Sequence, residues 1–183
     1  MPVVVFPLAV ASYTYCGFFG DPRAGGARLH QGVDLCAPTG TPVLAVDNGG
    51  VTFGTDPMGG IIAKVYADDG ATYYYAHLQK TEGPSGRRVE PGEVIGYVDK
   101  TGNAALTVPH LHFEAHPGSG AAVDPKPMLD LAQRFASPPR GALRALSTGQ
   151  AIMVGVGVLS LATLVAMAIR DRGPVRWIAS RAR

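Results

Sequence analysis

"IIAKVYADDGATYYYAHL", Ile61–Leu78, reads as two runs of β-branched and aromatic residues hinged at Asp69-Gly70. An Asp-Gly pair tolerates the positive φ of a tight turn, so the stretch predicts a β-hairpin. Its neighbours repeat the pattern. "TPVLAVDNGGVTFG" (Thr41–Gly54) and "GEVIGYVD" (Gly92–Asp99) alternate side chains and break at Asn48-Gly49-Gly50 and Pro91-Gly92, which are turn signals between strands. No segment before Pro127 shows the 3.6-residue apolar period of an amphipathic helix. The predicted fold is therefore mostly β, an antiparallel sheet or sandwich of short strands. The opening "MPVVVFPLAVASYTYCGFFG" is apolar but has no basic start, and Pro2 and Pro7 interrupt any helix. It is expected to supply the first strands and not a cleaved signal.

Composition divides the chain. Residues 1–130 carry eight Lys/Arg against thirteen Asp/Glu, whereas residues 131–183 carry eight Arg against one Asp, so the formal charge of +2 sums two unlike parts. The acidic first part gives no reason to expect a nucleic-acid footprint. In the second part, "AIMVGVGVLSLATLVAMAI" (Ala151–Ile169) is 19 residues of apolar or small side chains. A helix needs roughly 20 such residues to cross the hydrocarbon layer, and no polar face marks the run as a buried soluble helix. A transmembrane helix is expected over 148–169, preceded by a linker over 131–147 that contains "SPPRG" and followed by a basic tail over 170–183. Five Arg after the run against three before it favour a cytoplasmic C-terminus. Cys16 and Cys36 are the two cysteines; one disulfide in an oxidising compartment and two buried thiols fit the sequence equally.

Four of the five histidines fall in three short motifs. In "HLHFE", His110, His112 and Glu114 share one face of a strand while Leu111 and Phe113 share the other, because side chains alternate with period two. On its own this pair is a weak signal. "HQGVD" adds His30 and Asp34 four residues apart with Gly32 as a bend between them, and "YYYAHL" presents His77 at a strand end. Two imidazoles and a carboxylate with an open fourth position are the donor set of a catalytic zinc site. His30, Asp34 and one of His110 and His112 would supply it. The remaining histidines would then accept a proton from water, donate one to the leaving amine or stabilise an oxyanion. The HExxH motif is absent, which excludes a helix-borne site of that kind.

"HQGVDLCAPTGTPVLAVDNGGVTFG", "YYYAHL" and "GYVDKTGNAALTVPHLHFEAH" together resemble the M23 zinc metallopeptidases, the LytM and lysostaphin group that cuts peptide cross-links of bacterial peptidoglycan. The resemblance spans roughly Phe6 to Pro127 and rests on three ordered motifs. It implies a mostly antiparallel β peptidase domain over 1–130, a Zn2+ cofactor held by His30, Asp34 and His112, and catalytic roles for His77 and His110. The expected function is that of a membrane-anchored zinc endopeptidase acting on peptidoglycan peptides, with its domain facing the cell wall from a bacterial envelope or a phage virion membrane. The rival readings are a non-catalytic cell-wall-binding or regulatory module, and a structural membrane or virion protein. The sequence does not choose an oligomeric state.

Some residues depart from the family pattern or stand outside it. Cys36 lies two positions after Asp34, where a small residue is more usual, and "GNAALTVPH" is longer than the usual loop before H-x-H. His116 has no motif partner and reads as a solvated loop histidine. Among Tyr73, Tyr74 and Tyr75, alternation buries at least one and leaves the others to the groove. Glu114 shares the face of His112 and is placed either to orient that imidazole or to stand in solvent.

Overall fold

The short alternating runs become strands in the computed structural model, which describes residues 5–9 and 13–136. In chain order they are β1 (Thr14–Gly17), β2 (Pro22–Arg23), β3 (Arg28–Leu29), β4 (Val33–Cys36), β5 (Pro42–Leu44), β6 (Gly49–Asp56), β7 (Gly60–Ala67), β8 (Thr72–Thr81), β9 (Arg88–Val89), β10 (Val94–Val98) and β11 (His110–His116), followed by helix α1 (Lys126–Ala136). The main sheet runs β1-β4-β11-β8-β7-β6-β9, with β10 joining β8 to β5, and β2 and β3 form a separate ribbon. The strand pairings among the described residues are all antiparallel, as the turn chemistry requires. The hairpin read from Ile61–Leu78 is β7 and β8, and Gly70 at its turn adopts φ +90°.

Alternation divides the sheet into a core face and a groove face. Val33 and Leu35 of β4, Leu111 and Phe113 of β11, Tyr75 of β8 and Val65 of β7 all point into the core and are fully buried. The residues between them, Asp34, His112, Glu114 and Tyr74, line the groove. A one-residue slip would exchange the two sets, so the core pins the register that the groove depends on.

Two expectations change here. Residues 5–9 do not form a regular strand: they lie beside β5 through Val5 N–H to Val46 O (2.9 Å), Leu44 N–H to Pro7 O (2.9 Å) and an isolated bridge between Leu8 and Val43. Pro7 has no N–H to continue a ladder. The domain boundary expected at 130 falls inside α1, whose Leu129 and Ala132 enter the core. Asp124 Oδ1 accepts the Lys126 N–H at 2.9 Å, and Pro127 occupies the first turn, where its missing N–H costs nothing. Cys16 and Cys36 form a disulfide that ties β1 to β4, which decides between the bridge and the two thiols that the sequence left equally open.

Among the described residues no helix is long and apolar enough to cross a membrane. The stretch expected to do so, 148–169, lies outside them, as do the basic tail 170–183 and the linker beyond residue 136.

Candidate active site

His112 pairs with Asp34 across β11 and β4, and with Ala76 across β11 and β8. Directly opposed side chains on one face approach closely, so this register alone brings the imidazole onto the carboxylate. His112 Nδ1 lies 2.9 Å from Asp34 Oδ1. His30 joins them from the segment before β4, with Nε2 3.1 Å from Asp34 Oδ1 and 2.9 Å from His112 Nδ1. The chain makes that approach across Gly32, where any Cβ would collide with the Phe113 carbonyl oxygen. Of the two candidates for the third position, it is therefore His112 that converges with His30 and Asp34, all three donor atoms lying within 4.8 Å of one another. His110 Nε2 is farther from the carboxylate, 3.9 Å from Asp34 Oδ1.

Hydrogen bonds to the far ring nitrogens assign the tautomers. His30 Nδ1 donates to the Phe18 carbonyl at 2.8 Å, which leaves Nε2 facing the cluster. His112 Nε2 donates to Glu114 Oε1 at 2.8 Å, which leaves Nδ1 facing it. Arg23 Nη2 holds the other carboxylate oxygen of Asp34 at 2.6 Å. Gly17 leaves room for that contact, since a Cβ there would strike both Asp34 Oδ2 and Arg23 Nη2. Burial opposes charge on Asp34, but its contacts with His112 and His30 override it and hold the carboxyl far below its usual range. Burial likewise disfavours a charged His112, and its contacts with Asp34 and Glu114 overcome that and raise its pKa.

This donor set fits a zinc ion. Two imidazole nitrogens and a carboxylate oxygen stand 2.9–3.1 Å apart with no other side chain between them. Ligands about 2.0–2.1 Å from a tetrahedral zinc are separated by about 3.3 Å, so a small adjustment accommodates the ion. The Glu114–His112 contact is the carboxylate–histidine arrangement that orients metal-binding imidazoles.

His77 reaches the groove by a backbone irregularity. Strict alternation from Tyr73 and Tyr75, both core residues, would turn His77 inward. Between the pairs Ala63–Tyr75 and Ile61–Leu78, β8 carries one residue more than β7, and His77 takes φ +63°. This bulge puts Ala76 and His77 together on the groove side while Leu78 returns to the core. A left-handed histidine is uncommon and needs outside support. The His77 N–H donates to Gly59 O at 2.7 Å, its carbonyl accepts the Asp99 N–H at 3.1 Å, and its Nδ1 donates to Thr101 O at 2.8 Å. Burial pushes the imidazole down to about 4, so the ring is neutral at pH 7 with its Nε2 lone pair free. His110 is set the same way, Nδ1 donating to Val108 O at 2.9 Å, and its ring meets that of His77 edge-on at 4.8 Å between centroids.

The cleft holding these groups has a volume of about 560 Å³. Tyr74 lines it and donates to Asp56 Oδ2 at 2.8 Å, while Tyr73 and Tyr75 pack in the core. Burial and the Asp56 hydrogen bond keep the Tyr74 phenol protonated. His116 is not a solvated loop residue: its Nε2 lies 2.8 Å from Glu114 Oε2 and its Nδ1 lies 2.9 Å from Gly120 O. The period of two that grouped His110, His112 and Glu114 extends to His116, which was the signal for it. Arg23 and the Phe18 carbonyl had no comparable signal, since both come from the β1–β3 segment through its folded path.

The pattern of Peptidase family M23 matches residues 28–125, which include every site residue named above except Gly17, Phe18 and Arg23. The chain belongs to this family. Among its M23 relatives, an L-Ala–D-Glu endopeptidase of Bacillus subtilis is 34% identical over 143 residues, covering 71% of this chain and 44% of that protein. A DD-carboxypeptidase/endopeptidase of Neisseria meningitidis is 44% identical over 89 residues, 48% of this chain and 20% of that one. This M23 chain thus spans less than half the length of either relative. The catalytic domain of lysostaphin from Staphylococcus simulans shares its fold with a TM-score of 0.58 and 33% identity, over 64% of this chain and 92% of that domain.

Proposed function

We propose that this M23 chain is a zinc endopeptidase that hydrolyses peptide cross-links of bacterial peptidoglycan. The observation that carries the reading is the meeting of His30 Nε2, Asp34 Oδ1 and His112 Nδ1 beside two imidazoles, His77 and His110, whose Nδ1 atoms are each tied to a backbone carbonyl. A relative from Vibrio cholerae named a peptidoglycan DD-endopeptidase supports the substrate class.

In this reading His30, Asp34 and His112 hold the ion, which supplies Lewis acidity toward a peptide carbonyl and makes water more acidic. The other steps belong to the chain. Nε2 of His110 or His77 takes the proton of the attacking water, the C–O bond forms as the C–N bond breaks, and the same proton passes to the departing amine. The neutral imidazole of His77 suits that task because it can accept before it donates. Arg23 fixes the Asp34 carboxylate, and Glu114 fixes the ring plane of His112.

The reading extends to the rest of the chain as a proposal. A peptidase domain ends near α1, a linker follows, and the apolar stretch 148–169 anchors the protein with its domain toward the cell wall, in a bacterial envelope or a phage virion membrane. The test is to incubate the full chain with purified peptidoglycan and count new amino groups. Release that stops on chelation and returns with zinc supports the reading, and no release from any of several peptidoglycan types defeats it.

A further inference from the structure

The groove does not end at the metal ligands. A second cavity of about 360 Å³ adjoins it, sharing Arg28, Leu29, His30 and Gln31 as common walls. Its own lining is small and neutral, with Gly20, Ala121 and Ala122, and its rim is apolar, with Phe19 38% and Leu29 63% exposed. Both ring nitrogens of His116, the other titratable group in that basin besides His30, face Glu114 and the Gly120 carbonyl.

Arg28 is the exception. Its guanidinium makes no hydrogen bond or ion pair among the described residues, whereas Arg23, the other arginine in the groove wall, is bound to Asp34. The two arginines are directly opposed in the β2–β3 ribbon, an arrangement of like charges that disfavours the ribbon. A two-residue ribbon gains little that would offset it. A guanidinium presents a planar fork of donors matched to a carboxylate.

We infer that Arg28 and this basin form a substrate subsite for a peptide residue with a small aliphatic side chain and a free carboxylate, next to the bond that lies over His30. The inference rests on the peptidase reading and narrows it to anionic stem peptides over uncharged glycine bridges. The methyl-sized group fits the Ala121–Ala122 side, and the carboxylate meets the Arg28 guanidinium.

Binding tests the subsite without requiring cleavage. Two synthetic cross-linked stem peptides, one ending in an alanine carboxylate and one in the alanine carboxamide, are titrated into the zinc-loaded full chain carrying His110→Ala. The carboxylate peptide is expected to bind about tenfold more tightly, as a charge-assisted hydrogen bond gives, and the preference should shrink at high salt. Arg28→Gln should abolish the preference, and Arg28→Lys should restore part of it. Equal affinity for the two peptides, or a preference that survives Arg28→Gln, overturns the inference. Cleavage of the same peptides by the wild-type chain is measured separately. A carboxylate preference without cleavage would leave the subsite standing and count against the peptidase reading alone.

Discussion

His112 and Asp34 face each other across β11 and β4, with Nδ1 2.9 Å from Oδ1, although 78 residues separate them in the chain. The pair joins the fold to the site, because the register that buries Phe113 opposite Val33 is the same one that opposes His112 to Asp34. Core packing thus positions the donors before any ion is bound. Asp34→Asn keeps the shape and removes the charge. We expect zinc affinity, read by competition with a chromophoric chelator, to fall by more than the roughly 10–100-fold seen for outer partners of a ligand. Affinity within a few fold of wild type would contradict the assignment.

Glu114 stands between His112 and His116, accepting from each at 2.8 Å. Glu114→Gln should lower zinc affinity about 10–100-fold, since the ring plane of His112 loses its charged partner. His116→Ala acts through Glu114 and should produce a smaller loss in the same chelator competition. The order of the two effects is the test.

The bulge at His77 gives a prediction that separates backbone from side chain. Asparagine tolerates the left-handed conformation, so His77→Asn should unfold at nearly the same urea concentration as wild type. Its turnover on peptidoglycan should fall about 10²–10⁴-fold, the usual contribution of a positioned acid–base group. His77→Val, a β-branched residue forced to φ +63°, should instead lose stability.

Thr101 Oγ1 accepts the Ile61 N–H at 3.0 Å and donates to Leu78 O at 2.8 Å, holding both strands beside the bulge. Thr101→Val preserves volume and removes both bonds. We expect turnover to drop while zinc affinity stays near wild type, because none of His30, Asp34 and His112 touches this residue. A parallel loss of zinc would show that the two halves of the site are not held independently.

The Cys16–Cys36 bridge closes a loop with a sequence separation of 20 that contains His30 and Asp34. Replacing both by serine should cost about 2–4 kcal/mol in urea unfolding, by the loop-closure argument. An unchanged midpoint would mean that the β1–β4 pairing alone holds that loop.

How much of this was legible depended on whether a feature is local. Alternation in "HLHFE" correctly put Leu111 and Phe113 in the core and His110, His112 and Glu114 in the groove, because each strand residue's face follows from its own neighbours. The same rule misplaces His77, since a bulge held by Gly59, Asp99 and Thr101 cannot be read from the run it interrupts. The choice of His112 over His110 as Asp34's partner needed the β4–β11 register as well as the motif. The sequence left the disulfide and two free thiols equally open, since the bridge depends on β1 lying against β4. Helix α1 escaped notice because Pro125 and Pro127 obscure its start.

The most direct test of the central claim compares wild type with His110→Ala, measuring bound zinc and peptide-bond cleavage on the same preparations. The account predicts one equivalent of zinc on each protein, zinc-dependent release of amines and new peptide fragments by wild type, and turnover about 10²–10⁴-fold lower in the variant. Equal cleavage by the two proteins, or one bound zinc with no bond cut by either, would contradict it.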